Sequence, residues 1–337
     1  MDRCVIEMDV KIKDYLSGLE MGEVQEFGGM AVIPILSKNG NGLEYFTLKE
    51  AMELDLLKIT EVDDSGSVPE LKVINEAEIP VLILDGEELV GAKQNRIVNT
   101  SILLKEKSET IIPVSCVEEG RWSYKSDHFQ DSDAIASYRV RNVKSASVSR
   151  SIERNGHYSS DQSAVWDEVH QLSSKMEVCS PTGAMRDVYE AKNKDLNDYI
   201  NAFERVQDQK GLIVLIKGEI MGFDIVSRKS AYMDLHKKLI KSYALDALIQ
   251  AEDKQIKDVD TLKSARKFIK DIMKCNESKH SSVGYGWDYR FASDSYVGSA
   301  LLFKDQVIHA SFFKSLEVEN EDVGGMARFS RRASLRM

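Results

Sequence analysis

The chain has 337 residues, of which 42% are hydrophobic and 30% charged, a composition typical of a folded, water-soluble protein. No apolar run approaches the ~18 residues of a membrane span, and acids stand close to the start, so we expect neither a membrane protein nor a signal peptide. The formal net charge of −10 lacks the basic surplus of proteins that bind nucleic acids generally. We therefore expect a cytoplasmic protein without general nucleic-acid binding.

The cysteines and histidines predict no local metal site. Cys4, Cys116, Cys179 and Cys275 are widely spaced, and the six histidines also lie far apart. This spacing lacks the C-x-x-C pairs of zinc motifs and argues against a disulfide framework, although a metal site built from distant residues stays open. The chain also lacks the G-x-x-x-x-G-K-[ST], G-x-S-x-G and H-E-x-x-H motifs, which removes the usual support for several large enzyme classes.

The first third of the chain is predicted to be rich in strands. The apolar run 30–36 and residues 43–48 flank an Asn-Gly turn, and this pattern predicts a β-hairpin. A short helix is expected over 49–57. Further short apolar or alternating runs occupy 59–62, 71–75, 80–84, 97–104 and 110–117. Strands at this spacing favour a sheet folded back on itself as a sandwich or roll.

The rest of the chain mixes helices and strands. Apolar residues at helical spacing predict helices over 133–152 and 161–176, the second opened by a capping box of Ser159 and Gln162. A helix near 196–203 follows. Later expected strands are 211–217, 219–226, 296–303 and 306–313, and later expected helices are 229–250 and 261–274.

The predicted class is α+β, with a β-rich N-terminal sandwich or roll, a helical segment and a mixed α/β C-terminal part. We divide the chain into residues 1–125, which carry the polar motifs, and 126–316, packed on the first part as one unit. The basic tail 317–337 is expected to be mobile.

The densest polar segment is 86–96, Gly-Glu-Glu-Leu-Val-Gly-Ala-Lys-Gln-Asn-Arg. Gln94 and Asn95 offer amide donors and acceptors, and Arg96 offers a planar guanidinium for a carboxylate or phosphate. Gly91 and Ala92 are small enough to let a ligand approach the backbone. Two interpretations stay open at this point, a ligand site and a solvated hairpin loop.

A second polar segment, 113–122, follows the next predicted strand. If strands 97–104 and 110–117 pair antiparallel, residues 94–96 and 115–122 emerge at the same end of the sheet. Two polar clusters then face one cleft.

The second segment supplies candidate chemistry. Glu118 and Glu119, together with Glu88, are acid–base candidates. Arg121 can hold an anion, and Trp122 can stack on a planar ring. Cys116 is a candidate nucleophile if Arg96 or Arg121 lowers its pKa, and otherwise a buried, inert strand cysteine.

Two further features have structural and functional interpretations. A basic segment can contact phosphate groups or form a solvated helix face; its cations are Arg139, Arg141, Lys144, Arg150 and Arg154. His309 lies in an apolar run and is expected to be a hydrogen-bonded core or rim histidine.

These motifs resemble the family called the ARG and rhodanese-phosphatase-superfamily-associated protein domain, where ARG stands for ADP-ribosylglycohydrolase. The matching residues lie between about 30 and 313, and they are 86–96, 112–122, Asp161, Gln162, Trp166, 238–247, 298–301 and His309. The resemblance implies a link to ADP-ribose, NAD-derived or related nucleotide metabolism. It rests on the proteins with which the family is associated and implies no particular reaction.

The leading hypothesis is an enzyme that processes a small phosphorylated or nucleotide-type molecule at these two segments. The alternative is a non-catalytic ligand-sensing or scaffold protein associated with ADP-ribose-processing enzymes. A third interpretation is that both motifs only stabilise tight turns. The sequence fixes neither a cofactor nor the oligomeric state.

Overall fold

The computed structural model describes residues 8–37, 42–63, 65–250 and 260–316. The helices are α1 Val10–Ser17, α2 Leu48–Glu53, α3 Tyr138–Asn155, α4 Gln162–Lys175, α5 Met185–Ala191, α6 Asn193–Ala202, α7 Lys229–Gln250 and α8 Thr261–Ile272. The first strands are β1 Leu19–Met21, β2 Gln25–Phe27, β3 Met30–Ser37, β4 Phe46–Thr47, β5 Leu57–Glu61, β6 Glu70–Asn75, β7 Val81–Ile83, β8 Glu87–Gly91 and β9 Arg96–Val98. The others are β10 Ile102–Leu104, β11 Ser108–Cys116, β12 Phe129–Ile135, β13 Gln209–Ile216, β14 Glu219–Val226, β15 Asn276–Ser281, β16 Trp287–Ala292, β17 Tyr296–Phe303 and β18 Gln306–Lys314.

Six strands close into a barrel in the order β11-β6-β5-β12-β8-β9. Strand β5 shows the alternation that this requires, because Leu57 and Ile59 are buried while Lys58 between them is exposed. The inward residues form one apolar cluster that includes Leu71, Val73, Leu89, Val98 and Ile112. A closed barrel leaves no free strand edge, and the short sheet β10-β7-β4 packs beside it.

A larger antiparallel sheet runs in the order β1-β3-β13-β14-β18-β17-β16-β15, with β2 also paired to β3. Both of its faces are covered. Ile213 and Leu215 of β13 pack in the cluster that contains the buried residues of α1 and α8. Leu212 and Val214 point to the opposite face, into the cluster that contains α3, α4 and α7. Helix α7 also contacts the barrel, because Lys238 pairs with Glu87 of β8.

The α+β class and the strand-rich N-terminal region are confirmed. The later elements agree closely with the sequence pattern, since α7, β14 and β17 have the expected bounds and α8, β13 and β18 differ by a few residues at most. Their apolar periodicity is local and strong. No helix in the described part of the chain is long and apolar enough to cross a membrane.

The expected hairpin of residues 30–36 and 43–48 is wrong. Strand β3 pairs with β13, β1 and β2, and β4 pairs in parallel with β7. The interior of β3 is buried in consecutive residues, so its place is inside a covered sheet and not in a half-solvated hairpin. Residues 38–41 of the proposed turn lie outside the described residues, as does the tail 317–337.

The single strand expected over 97–104 is two strands, β9 and β10, in different sheets. The three polar residues between them bond to distant parts of the chain. Asn99 Nδ2 donates to Tyr158 O at 2.9 Å, Thr100 Oγ1 donates to Asp288 Oδ2 at 2.6 Å, and Ser101 Oγ lies 2.8 Å from His309 Nδ1. These hydrogen bonds turn the chain from the barrel into the short sheet.

The helix expected from residue 133 begins only at Tyr138, because residues up to Ile135 belong to β12. The capping box of Ser159 and Gln162 is also wrong. Asp161 is the N-cap of α4, and its side chain accepts from Ala164 N at 3.2 Å. A carboxylate one residue before the helix satisfies the free N–H directly.

Candidate functional site

The structure brings the two polar segments together. Arg96 of β9 is the register partner of Cys116 of β11, and Val117 N donates to Asn95 O at 3.1 Å. Gln94 spans the two segments, because its Nε2 donates to Glu118 O. Antiparallel pairing therefore places residues 94–96 and 116–122 at one end of the barrel wall, as the sequence predicts.

Glu118 is a buried, fully occupied carboxylate. Its oxygens accept hydrogen bonds from Asn95 N at 3.1 Å, Thr182 Oγ1 at 2.9 Å, and Arg121 Nε and Nη2 at 2.9 and 2.7 Å. Burial raises the pKa of Glu118, but the Arg121 guanidinium and the other donors outweigh it and hold the pKa below its usual value. A carboxylate held in this way is a weak base and a good structural anchor.

Arg121 is equally occupied. Besides Glu118, it donates to the carbonyl oxygens of Ala92 at 2.7 Å, Ser123 at 2.9 Å and Gly91 at 3.2 Å. Each of its three nitrogens already donates, so the side chain ties the 91–95 turn to the 118–123 turn and leaves little capacity for an anion.

Arg96 differs from Arg121, because part of its guanidinium has no hydrogen-bond partner in the described residues. It is fully buried, and its Nη1 donates to Gln94 Oε1 at 2.7 Å and to Gln94 O at 3.1 Å. Among the residues that the structure describes, neither Nε nor Nη2 has a hydrogen-bond partner. The ring of Trp122 covers the guanidinium, with Cζ lying 5.5 Å from the ring centroid.

Glu61 and Lys93 complete the surroundings of Arg96, and we call Glu61, Lys93, Arg96 and Trp122 the Arg96 cluster. Glu61 Oε1 accepts from Lys93 N at 3.2 Å, whereas Oε2 is buried without a partner in the described residues. Lys93 Nζ lies 5.5 Å from the centroid of Trp122. Glu61 Oε2 and Trp122 are neighbours, because a Cβ at Gly66 would lie 3.4 and 3.3 Å from them.

A family model described as the ARG and Rhodanese-Phosphatase-superfamily-associated Protein domain matches residues 18–313. The chain belongs to this family. The match runs from the region of β1 into β18 and includes the whole Arg96 cluster. No curated protein and no solved structure matches the chain.

In this member of the ARG and Rhodanese-Phosphatase-superfamily-associated Protein domain family, Cys116 is buried beside Arg96. Burial raises the pKa of its thiol to about 11, and the nearby Arg96 charge offsets this only in part. The Gln162 side chain fixes the Cys116 backbone through two hydrogen bonds of 2.8 Å. A neutral, enclosed thiol is the inert alternative that the sequence leaves open.

The remaining two acid–base candidates differ in exposure. Glu119 is 45% exposed, and its Oε2 lies 3.0 Å from Nε2 of His170, which is 52% exposed. Glu88 is fully buried, and burial raises its pKa to about 7, although the Ser132 side chain beside it lowers the pKa in part. Of these two carboxyl groups, Glu119 is the one that solvent reaches.

Residues 126–128 of the chain pack against the backbone at Gly91. Gly91 has a φ of +122°, and a Cβ there would lie 2.6 Å from Ser126 Oγ and 2.8 Å from His128 O. The glycine is therefore needed for the contact with residues 126–128.

The sequence pattern does not indicate Glu61 or a role for Lys93, and its solvated helix face holds for only part of the basic segment, where Arg150 and Arg154 are exposed. Arg141 and Lys144 are fully buried, so the solvated helix face is wrong for them. Arg141 pairs with Asp224 at 2.5 Å, and Lys144 pairs with Asp85. No local signal indicates these partners, since Asp224 lies in β14 and Asp85 lies in the turn between β7 and β8. His309 is a hydrogen-bonded core histidine, as expected.

This family member offers no preformed metal centre in the described part of its chain, where no group of three or more His, Cys, Asp or Glu side chains is placed to hold a metal ion.

Proposed function

We propose that the protein binds a small phosphorylated or nucleotide-type ligand at the Arg96 cluster. The observation that carries this proposal is the unpartnered Nε and Nη2 of a fully buried guanidinium. A buried polar group without a partner costs about 1–3 kcal/mol, and a charged one costs more. A ligand that supplies the missing acceptors explains why the fold retains such a group.

The two free nitrogens identify the kind of acceptor. Nε and Nη2 form one edge of the guanidinium, and their N–H bonds run parallel. Two oxygens of a phosphate or carboxylate accept from this edge at once, which is the strongest arrangement available to arginine. Gln94 holds the other edge through Nη1, so the free edge has a fixed direction.

The rest of the cluster favours a ligand with a ring and a hydrogen-bond donor. Trp122 is 47% exposed and offers its ring face to a base or another planar group. Glu61 Oε2 can accept from a ribose hydroxyl or an exocyclic amino group. Taking ARG in the family name to stand for ADP-ribosylglycohydrolase, as the resemblance implies, makes ADP-ribose and NAD the first ligands to try.

Entry of the ligand requires a movement. Arg96 has no exposed surface, and Trp122 lies over it. Binding therefore displaces the Trp122 ring, and with it the turn near Gly66, which lies close to that ring. Such a displacement changes the intrinsic fluorescence of the protein.

The test is titration of ADP-ribose, NAD and cyclic nucleotides by calorimetry and tryptophan fluorescence. Arg96→Met removes the free N–H groups while retaining a long side chain. Arg266→Met, at an exposed position of α8, is the matched control. We expect one ligand to bind the native chain and the control alike and to lose at least tenfold in affinity with Arg96→Met. Equal affinity of all three proteins for that ligand contradicts the proposal, and so does absence of binding across an anionic ligand panel.

A second candidate function is an enzyme that processes this ligand, and the exposed Glu119–His170 pair favours it. Glu119 lies next to the Arg96 cluster. Gln94, which accepts a hydrogen bond from Arg96, also places its Nε2 3.4 Å from Glu119 O. Product formation from bound ligand, abolished by Glu119→Gln with binding retained, would establish catalysis. Binding without product would leave the ligand-sensing function. Glu118→Gln is the comparison variant, because any loss of product formation there is expected to follow from the loss of the buried ion pair with Arg121.

A further inference from the structure

A large groove lies where α3, α4 and the end of α7 meet β14, β17 and β18. Its volume is about 1230 Å³, and no residue of the Arg96 cluster or of the two polar segments lines it. We call it the α3 groove. Its size is sufficient for a ligand, since small-molecule sites commonly occupy about 300–1,000 Å³.

Asp246 of α7 is the distinctive residue of the α3 groove. It lines the groove with only 2% of its surface exposed, and its Oδ2 has no hydrogen-bond partner in the described residues. Burial raises the pKa of Asp246 to about 7. The charged and titratable groups that face it are Arg139 and Tyr138 of α3, Glu168 and Lys175 of α4 and Tyr189 of α5.

The cations of the groove are largely engaged elsewhere. Arg139 Nε lies 3.1 Å from Glu168 Oε2, and Lys314 Nζ lies 2.7 Å from Glu219 Oε2. Lys175 and Arg150 are exposed at the margin. Within the described ranges, Asp246 is therefore a buried carboxyl without an ion pair, and such a group is stabilised when a cation is brought to it.

We propose that the α3 groove is a binding site for small aliphatic amines, which place an ammonium group on Asp246. An ammonium carries three donors and satisfies Oδ2 once a movement of the buried side chain exposes this oxygen to the groove. The alkyl chain of the amine then packs against Met221, Val297 and Tyr296, which line the groove. An anionic ligand is disfavoured here because Glu168 and Glu219 already neutralise the nearest cations.

The test is calorimetric titration of putrescine and spermidine into the native full-length chain at pH 8 and pH 6. Asp246→Asn removes the charge. Val143→Trp fills the groove from the half-buried position 143 of α3 without changing any charge. Asp167→Asn, at an exposed position of α4 that does not line the groove, is the matched control for general attraction to this acidic protein.

We expect at least a tenfold loss of affinity with Asp246→Asn and with Val143→Trp, and none with Asp167→Asn. The native affinity should rise about tenfold from pH 6 to pH 8, because the carboxyl ionises near pH 7. The proposal is overturned if no amine binds the native chain, if Asp246→Asn keeps its affinity, or if Asp167→Asn loses as much. Circular dichroism shows whether each variant is folded. If either Asp246→Asn or Val143→Trp is misfolded, the affinity of the other one tests the proposal.

Discussion

The guanidinium of Arg121 lies 2.7 Å from Oε2 of Glu118, and both side chains are buried. Through this pair the turn that precedes Arg96 is fixed to the turn that carries Trp122. The carboxylate that the sequence marks as a base is thus a positioning residue, which holds the Arg96 cluster in place without facing solvent.

The first prediction concerns the stability that this pair provides. Glu118→Gln leaves the Arg121 charge buried and unneutralised, so the free energy of unfolding should fall by about 3–5 kcal/mol. Glu119→Gln, the exposed neighbour, should change it by less than about 0.5 kcal/mol. Urea denaturation measures both values. Equal stability of the two variants would show that the buried pair contributes nothing.

Replacing Arg96 should not lower the free energy of unfolding. Arg96→Met removes a buried charge with two unpartnered N–H groups. We expect the free energy of unfolding to stay the same or to rise by about 1–4 kcal/mol, as when buried charges are replaced by apolar side chains. Residues kept for binding often cost stability in this way. A loss as large as that of Glu118→Gln would mean that the donors of Arg96 are satisfied in the free protein.

The fold was predictable where the signal is local. Helix α7 and strand β14 have the expected bounds because their apolar residues recur at the right period over many residues. The burial of strand β8 was not predictable, since Glu87 and Glu88 make the segment look like a solvated hairpin. Glu87 is buried because Lys238, 151 residues later, neutralises it. No window of sequence contains both partners.

The candidate site was predictable as a place but not in its roles. Antiparallel pairing was enough to bring Arg96 near residues 116–122. The sequence cannot show that Arg121 takes up the Glu118 charge, because both lie in an irregular turn. It also cannot show that Glu61, from β5, reaches the same cluster across the closed barrel. These outcomes depend on the tertiary path of the chain.

The buried basic residues of α3 give a further prediction. Arg141→Ala strands the Asp224 carboxylate, which Arg141 and Tyr243 Oη both contact. We expect a loss of about 3–5 kcal/mol in the free energy of unfolding. Arg150→Ala, at an exposed position of the same helix, should stay within about 0.5 kcal/mol of the native chain. A small effect at both positions would contradict the buried pairing.

The reactivity of Cys116 can be predicted against that of Cys179. Cys179 is exposed, whereas Cys116 is buried and its pKa is raised to about 11. Iodoacetamide at pH 8 should therefore modify Cys179 quickly and leave Cys116 unmodified in the native protein. Peptide mass spectrometry after timed quenching measures both. Modification of Cys116 at a rate like that of Cys179 would restore it as a candidate nucleophile.

The last prediction concerns the dependence of stability on pH. Burial raises the pKa of Glu88 from 4.5 to about 7. Between these two values the folded protein keeps a proton that the unfolded chain has released. The contribution of Glu88 to the free energy of unfolding should therefore fall as the pH rises from about 4.5 to 7 and then level off. For this one group the fall amounts to about 3–3.5 kcal/mol.

Glu88→Gln isolates this contribution. The variant should match the native chain near pH 4, where the Glu88 carboxyl is largely protonated in both the folded and the unfolded state, and exceed its stability by about 2–3 kcal/mol at pH 8. Asp246, whose pKa is also raised to about 7, produces a slope of the same sign and should contribute to what remains in the variant, as should Glu87 and Glu277, whose pKa values burial also raises. Urea denaturation at the two pH values measures the difference. If the native chain and Glu88→Gln are equally stable at pH 8, burial does not raise the pKa of Glu88 and this prediction is wrong.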